Sequence, residues 1–289
     1  MAKQKRIDVL KTYKTYVGGK FPRTESGRFY KVAGTDGQLL ANACQCSRKD
    51  IRMAVVAARS AFSGWKSRSA YNRGQILYRI AEVLEGRKSQ FVDELIRAGY
   101  QEKDAVREVS VSIDRLIYYA GWTDKYQQVF STVNPVASSH FNFSMPNPTG
   151  IVGVISPDKY PLSGLISMIA PVIAGGNTAI VLASEPQPLS SISFAEVVHA
   201  SDVPGGVINI LTGFKEELIP PLSSHMDVNA IFMSASSADY RKQIEEEAAG
   251  NVKRVISTPI KNWNKTEQQN PYLMLDLQET KTTWHPIGV

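Results

Sequence analysis

The sequence predicts an α/β protein built on a parallel sheet with helices packed on both faces. Three observations carry that expectation. From Gly150 onward, short apolar runs of strand length alternate with helical segments at regular spacing. The strand runs GIVGVISP, NTAIVLAS, GVINILTG and VNAIFMSAS are separated by LISMIAPVIAGG and SSISFAEVVHAS, which read as helices. The chain is 289 residues long, 43% hydrophobic and 21% charged, which suits one large globular domain or two modest ones.

Taken in order, the first twenty residues are basic. Lys3, Lys5, Arg6, Lys11, Lys14 and Lys20 stand against Asp8 and hold most of the chain's net charge of +6. No Arg-rich or aromatic-interleaved pattern accompanies them, so the stretch reads as a solvated terminus rather than a nucleic-acid arm. It lacks the apolar core of a secretory signal, and no apolar run nears the roughly 20 residues needed to span a bilayer. The expected location is cytoplasmic, with neither nucleic acid nor membrane as partner. Residues 15–45 read as strands and turns, with Asp36-Gly37 as a hairpin signal. Ser47-x-x-Asp50 forms a capping-box pattern opening a helix, and Ile76, Leu77, Ile80, Val83 and Leu84 mark one buried helical face. Residues 89–99 and 104–128 continue the helical character. The polar and aromatic stretch VASSHFNFSM, bracketed by prolines, reads as an exposed or edge strand through alternating Phe141 and Phe143. After the fourth apolar strand, EEEAAGNVKRVIS reads as helix then strand, and the tail YLMLDLQETKTTW alternates like a strand.

Chemistry-bearing residues are sparse. The two cysteines, Cys44 and Cys46, are one residue apart, a spacing that suits neither a normal disulfide nor a zinc pair. They read as small buried residues. The four histidines are scattered, so no metal site is expected. A parallel sheet places any ligand at the carboxyl ends of its strands, which here leaves a possible nucleotide site.

The blocks RMAVVAARSAFSGW, LYRIAEVLEGRKSQF, GIVGVISPDKYPL, APVIAGGNTAIVLASE, VPGGVINILTG and SSHMDVNAIFMSAS, in that order, resemble the aldehyde dehydrogenase superfamily across most of the chain. The resemblance implies a Rossmann-like core at 150–260, preceded by strands and helices of the cofactor-type domain at 1–127 and projecting oligomerisation strands at 128–149. Residues 261–289 would be a linker and a terminal oligomerisation strand. Like the family's cofactor domain, this sequence lacks G-x-G-x-x-G. The family's second domain, with its nucleophilic cysteine, has no counterpart before LQETKTTW, which is similar to the family's terminal strand. The gap reads as an internal deletion.

The resemblance assigns roles only where residues match. No cysteine follows Cys46, so the thiolate that must attack the aldehyde carbonyl is missing. Pro157-Asp158-Lys159-Tyr160-Pro161 stands where the family has P-W-N-F-P, replacing the oxyanion-donating asparagine with Lys159. Asp158 and Lys159 are expected to pair in a surface turn. The position of the general base falls at Thr258. In the cofactor site, Ser156, Pro157, Glu185 and Ser236 match, while Leu182 replaces a lysine. Ala235, Tyr240 and Lys215 replace glycines, Tyr240 at a place where its ring would fill a pyrophosphate site and Lys215 in a turn where a lysine is ordinarily solvated. The cofactor, if any, would be NAD or NADP at a degenerate site. The leading expectation is a catalytically inactive relative that works through oligomeric assembly, with itself or with a full-length aldehyde dehydrogenase. The alternatives are a partner-dependent NAD(P)-linked aldehyde oxidoreductase and a nucleotide-sensing module.

Overall fold

The computed structural model describes residues 9–234 and 239–288. An N-terminal sheet contains β1 (Thr12–Tyr13), β2 (Phe29–Ala33) and β3 (Leu39–Cys44), in the order β1-β3-β2. The β2–β3 connection turns at Asp36-Gly37, where Gly37 takes φ +77° and the Asp36 carboxylate accepts from the Gln38 amide. Four helices follow: α1 (Arg48–Lys66), α2 (Ala70–Gly86), α3 (Lys88–Arg97) and α4 (Glu102–Ala120). The capping box forms as expected. Ser47 Oγ accepts from the Lys49 amide and the Asp50 carboxylate accepts from the Ser47 amide. Ile76, Leu77, Ile80 and Leu84 line the buried face of α2.

A short helix α5 (Tyr126–Phe130) leads into β4 (Thr132–Asn134) and β5 (His140–Pro148). The central sheet is then laid down as β6 (Ile151–Ile155), α6 (Ser163–Ala174), β7 (Thr178–Leu182), α7 (Leu189–His199), β8 (Ile208–Leu211), α8 (Lys215–Ser223), β9 (Ala230–Ser234), α9 (Arg241–Ala248) and β10 (Arg254–Thr258). Its order is β10-β9-β6-β7-β8, parallel throughout. The chain therefore runs outward from β6 to β8, returns, and continues on the other side of β6. That reversal between β6 and β9 is the switch point at which doubly wound sheets open a ligand crevice. Every residue of β6, β7, β8 and β9 is buried, as strands covered on both faces must be. All twelve residues of α6 are buried too, which explains why LISMIAPVIA is apolar all round rather than on one stripe.

After β10 the chain packs along α4 and α6 instead of leaving the domain. Trp263 is 1% exposed, and Leu273, Met274 and Leu277 are buried. The buried Arg115 of α4 donates through Nη2 to the carbonyls of Trp263 (3.2 Å) and Lys265 (3.1 Å), and Tyr119 Oη donates to Asn270 O (3.1 Å). This segment closes the flank of the core with its own apolar side chains. It includes a helical turn, α10 (Tyr272–Leu275), and ends in β11 (Gln278–Pro286). β11 pairs antiparallel with β5 over nine residue pairs, Gln278 opposite Pro148 through Pro286 opposite His140. With β4 on the other side, the three make a separate sheet in the order β11-β5-β4.

Two expectations need correction. The strand carrying Phe141 and Phe143 is the central strand of its sheet, because β11 returns from far along the chain to cover the side that looked like an edge. Residues 272–275 are helical despite their alternation, since Pro271 presets the first turn and Asn270 Oδ1 accepts from the Tyr272 amide. The interval between the third and fourth apolar runs, which the sequence leaves unassigned, forms helix α8, with Pro220 and Pro221 toward its end. Among the described residues no helix is long and apolar enough to cross a membrane.

Candidate cofactor crevice

The carboxyl ends of β6, β7 and β8 deliver Ser156-Pro157-Asp158, Ser184-Glu185 and Phe214-Lys215 to one place. Lys215 settles what that place contains. Its side chain is 5% exposed and reaches across the end of β7, so that Nζ donates to Ser156 O (3.0 Å) and to Asp158 Oδ1 (2.7 Å). Its backbone amide donates to Glu185 Oε2 (2.9 Å), and the Glu185 amide donates to Asp158 Oδ1 (3.2 Å). Burying an ammonium is costly unless it is paired and hydrogen-bonded, and here it is both. The Tyr240 phenol is pushed to a higher pKa, first by burial and then by the charges of Glu185, Glu216 and Asp158.

Two expectations are overturned here. Lys215 is not a solvated loop lysine, because the chain supplies it with a carbonyl and a carboxylate inside the crevice. Asp158 pairs with Lys215 rather than with Lys159, which points to solvent.

Of the site residues named from sequence, Ser156 is fully buried, with its amide donating to Leu182 O (3.1 Å). Pro157 is buried against Gly164 of α6, where an added Cβ would come within 2.3 Å of the proline ring. Glu185 is in the crevice, its carboxylate capping the start of α8. Ser236 lies outside the described residues. Thr258 ends β10, buried, a neutral hydroxyl where a base was sought.

Sequence distance hid how near the cysteines come. Cys46 donates its amide to Thr212 O (2.9 Å) at the end of β8, and Thr212 Oγ1 donates to Cys44 O (2.6 Å). Both thiols are free and buried, and burial pushes the Cys46 thiol well up, with Asp50 adding to it. A thiol kept protonated away from solvent is a poor nucleophile. Among the described residues, no group of three or more His, Cys, Asp or Glu side chains is arranged to hold a metal ion.

Sequence reasoning missed Glu108. This residue of α4 is fully buried, and one carboxylate oxygen accepts from the amides of Leu162 (2.9 Å) and Ser163 (3.3 Å) at the start of α6. Burial raises its pKa from 4.5 to about 7 against the pull of those two amides. Its i, i+4 partners gave no hint, because the groups it serves are more than fifty residues away.

A dinucleotide at this crevice would need Glu185 and the loop amides free to receive it. As folded, the Lys215 amide and the Glu185 carboxylate satisfy each other, and the Lys215 ammonium fills the space between them and Ser156. The described residues do not fit a dinucleotide in this arrangement.

The five parallel strands, their switch point and the covering helices define a doubly wound, Rossmann-like domain of the dinucleotide-binding type. The aldehyde dehydrogenase family profile matches residues 21–258, from the N-terminal sheet to the last residue of β10. The chain belongs to the aldehyde dehydrogenase family. It is 30% identical over 257 residues to cytosolic 10-formyltetrahydrofolate dehydrogenase of Mus musculus, covering 87% of this chain and 28% of that protein. It is also 30% identical over 243 residues to an aldehyde dehydrogenase of Davidiella tassiana, covering 83% and 48%. The NAD+ complex of aldehyde dehydrogenase from Bacillus cereus superposes with a TM-score of 0.80 at 26% identity, over 86% of this chain and 50% of that one. The chain thus spans about half the length, or less, of these relatives.

Proposed function

We propose that this chain is a catalytically silent member of its family that acts through assembly, either with copies of itself or with a full-length aldehyde dehydrogenase. The observation that carries the reading is the sheet β11-β5-β4. Strand geometry puts Phe141, Phe143 and Met145 of β5 on one face together with Val133 of β4, which stands opposite Phe143. Phe141 and Val133 are 44% and 67% exposed, and the Phe141 and Phe143 rings touch at 5.6 Å between centroids. The opposite face is joined by polar contacts, Asn134 Nδ2 to Asn142 Oδ1 (2.6 Å) and Ser144 Oγ with Thr282 Oγ1 (2.8 Å). A small sheet that turns apolar side chains to water is a surface suited to a partner.

The silence rests on the absence of a competent thiol and on the crevice closed by Lys215. An internal deletion of the catalytic domain accounts for the missing thiol, with residues 259–277 sealing the flank and β11 retained because it completes the sheet with β5, while the closed crevice comes from Lys215 itself. Native mass spectrometry, alone and mixed with a full-length relative, tests the assembly. A species of two or more chains in either sample supports it, and a monomer in both overturns it. An NADH absorbance assay with aldehydes tests the silence. A sustained aldehyde-dependent rise from the purified chain overturns it and returns the oxidoreductase reading.

A further inference from the structure

On the outer side of α1, away from the crevice, a groove of about 470 Å³ runs between α1 and the loop that leads from α8 to β9. Arg48, Lys49 and Arg52 line one wall, and Ser224, His225 and Met226 line the other. The acids in the neighbourhood are already engaged. Glu25 pairs with Lys49 (2.7 Å), Asp227 pairs with Arg59, and the Asp50 carboxylate is spent on the amides of Glu25 and Ser47. Lys253 sits behind the loop, with Nζ donating to the His225 carbonyl (2.8 Å). Arg48 and Arg52 have no ion pair or side-chain hydrogen bond among the described residues, and both are exposed.

This placement works against the stability of α1. Arg48 and Arg52 are one helical turn apart, where like charges repel, and they lie in the first turns of a helix, whose dipole favours anions. The helix amides do not explain the cations, because Ser47 and Asp50 already cap that end. His225 feels the same field. Its ring is held below its ordinary pKa, first by burial, with Lys253, Arg52 and Arg48 adding to the effect and Asp227 opposing it.

We propose that this groove binds a doubly charged oxyanion, a phosphate or phosphate-monoester group, clasped by the guanidinium groups of Arg48 and Arg52 with Ser224 and His225 opposite. Two guanidinium forks match the spread of phosphate oxygens, and a dianion neutralises both unpaired charges. The site stands apart from the assembly reading and does not depend on it.

The test is titration of the whole chain with inorganic phosphate at pH 7.5 and constant ionic strength, followed by NMR of the His225 ring, assigned with His225→Gln, and by calorimetry. Saturable binding that shifts the His225 signals is expected, with acetate at least about tenfold weaker. The double variant Arg48→Ala/Arg52→Ala changes only exposed side chains. It should keep the fold by circular dichroism and lose phosphate binding by about tenfold or more. Lys242→Ala, a charge removed from exposed α9, should leave binding unchanged. Equal response to phosphate and acetate, or unchanged binding in the double variant, would overturn the proposal.

Discussion

The crevice at the ends of the parallel strands and the sheet β11-β5-β4 have disposed of their chemistry in opposite ways. In the crevice, the charges that meet between β6, β7 and β8 pair within the chain: Lys215 with Asp158, Glu185 with the Lys215 amide. In the small sheet, Asn134, Asn142, Ser144 and Thr282 share hydrogen bonds on one face, beside the exposed Trp284, while Val133, Phe141, Phe143 and Met145 share the other, partly open to solvent. A site that serves a ligand ordinarily keeps unsatisfied groups for it, and a surface that serves a partner keeps apolar area for it. Under the proposed function the first region is closed to ligand, its one orphan among the described residues being the buried Ser156 hydroxyl, and the second is the surface for a partner.

Four experiments bear on this contrast, in decreasing order of expected effect. The first concerns how the closed region is sealed. Trp263→Ala removes the largest side chain of the segment that covers α6, and a cost of about 4 kcal/mol in urea-unfolding stability is expected. A loss below about 1 kcal/mol would show that the segment rests on the core without holding it. The second uses Glu108, whose pKa in the fold is about 7 against an ordinary 4.5. Between those values the folded state holds a proton that the unfolded state has released, so this group's contribution to stability falls as pH rises from about 4.5 to about 7 and is flat above. Glu108→Gln keeps an acceptor for the Leu162 amide and removes the titration. The stability of the wild type relative to this variant should therefore fall by about 3 kcal/mol across that window. A difference independent of pH would show that the carboxyl is not held protonated.

Opening the crevice gives the third result. Lys215→Ala leaves the Ser156 carbonyl without its side-chain donor and Asp158 with the Glu185 amide alone, at a cost of about 2 kcal/mol. Calorimetry is expected to find no dinucleotide binding by the wild type, and if binding appears in this variant, the lysine is the plug. Measurable NAD binding by the unaltered chain would falsify the closed-crevice reading. The smallest change in stability belongs to the open region. Phe141→Ser with Val133→Ser should alter monomer stability by no more than about 0.5 kcal/mol. The oligomeric species seen by native mass spectrometry should nonetheless weaken, and full retention of assembly in this double variant would move the interface elsewhere.

Much of the fold was legible because its signals are local. The capping box at Ser47 and Asp50, the Asp36-Gly37 turn and the fully apolar runs of β6, β7 and β9 each need only a few adjacent residues to be read. The errors share one cause, which is contact between distant residues. β5 looked like an edge because β11, which covers it, lies more than a hundred residues on. Lys215 looked solvated because its partners Ser156 and Asp158 are nearly sixty residues earlier, and Cys46 looked remote from a crevice whose rim it touches through Thr212.

The sequence by itself determined the class of sheet, the family, and that no cysteine follows Cys46, since these depend on residue identity and order. Only the tertiary structure decided that the crevice is filled by its own lysine, that Glu108 is buried at the start of α6, and that residues 259–277 fold back over the core. A buried charge takes its character from whatever surrounds it in space, and its neighbours here come from elements far apart in the chain.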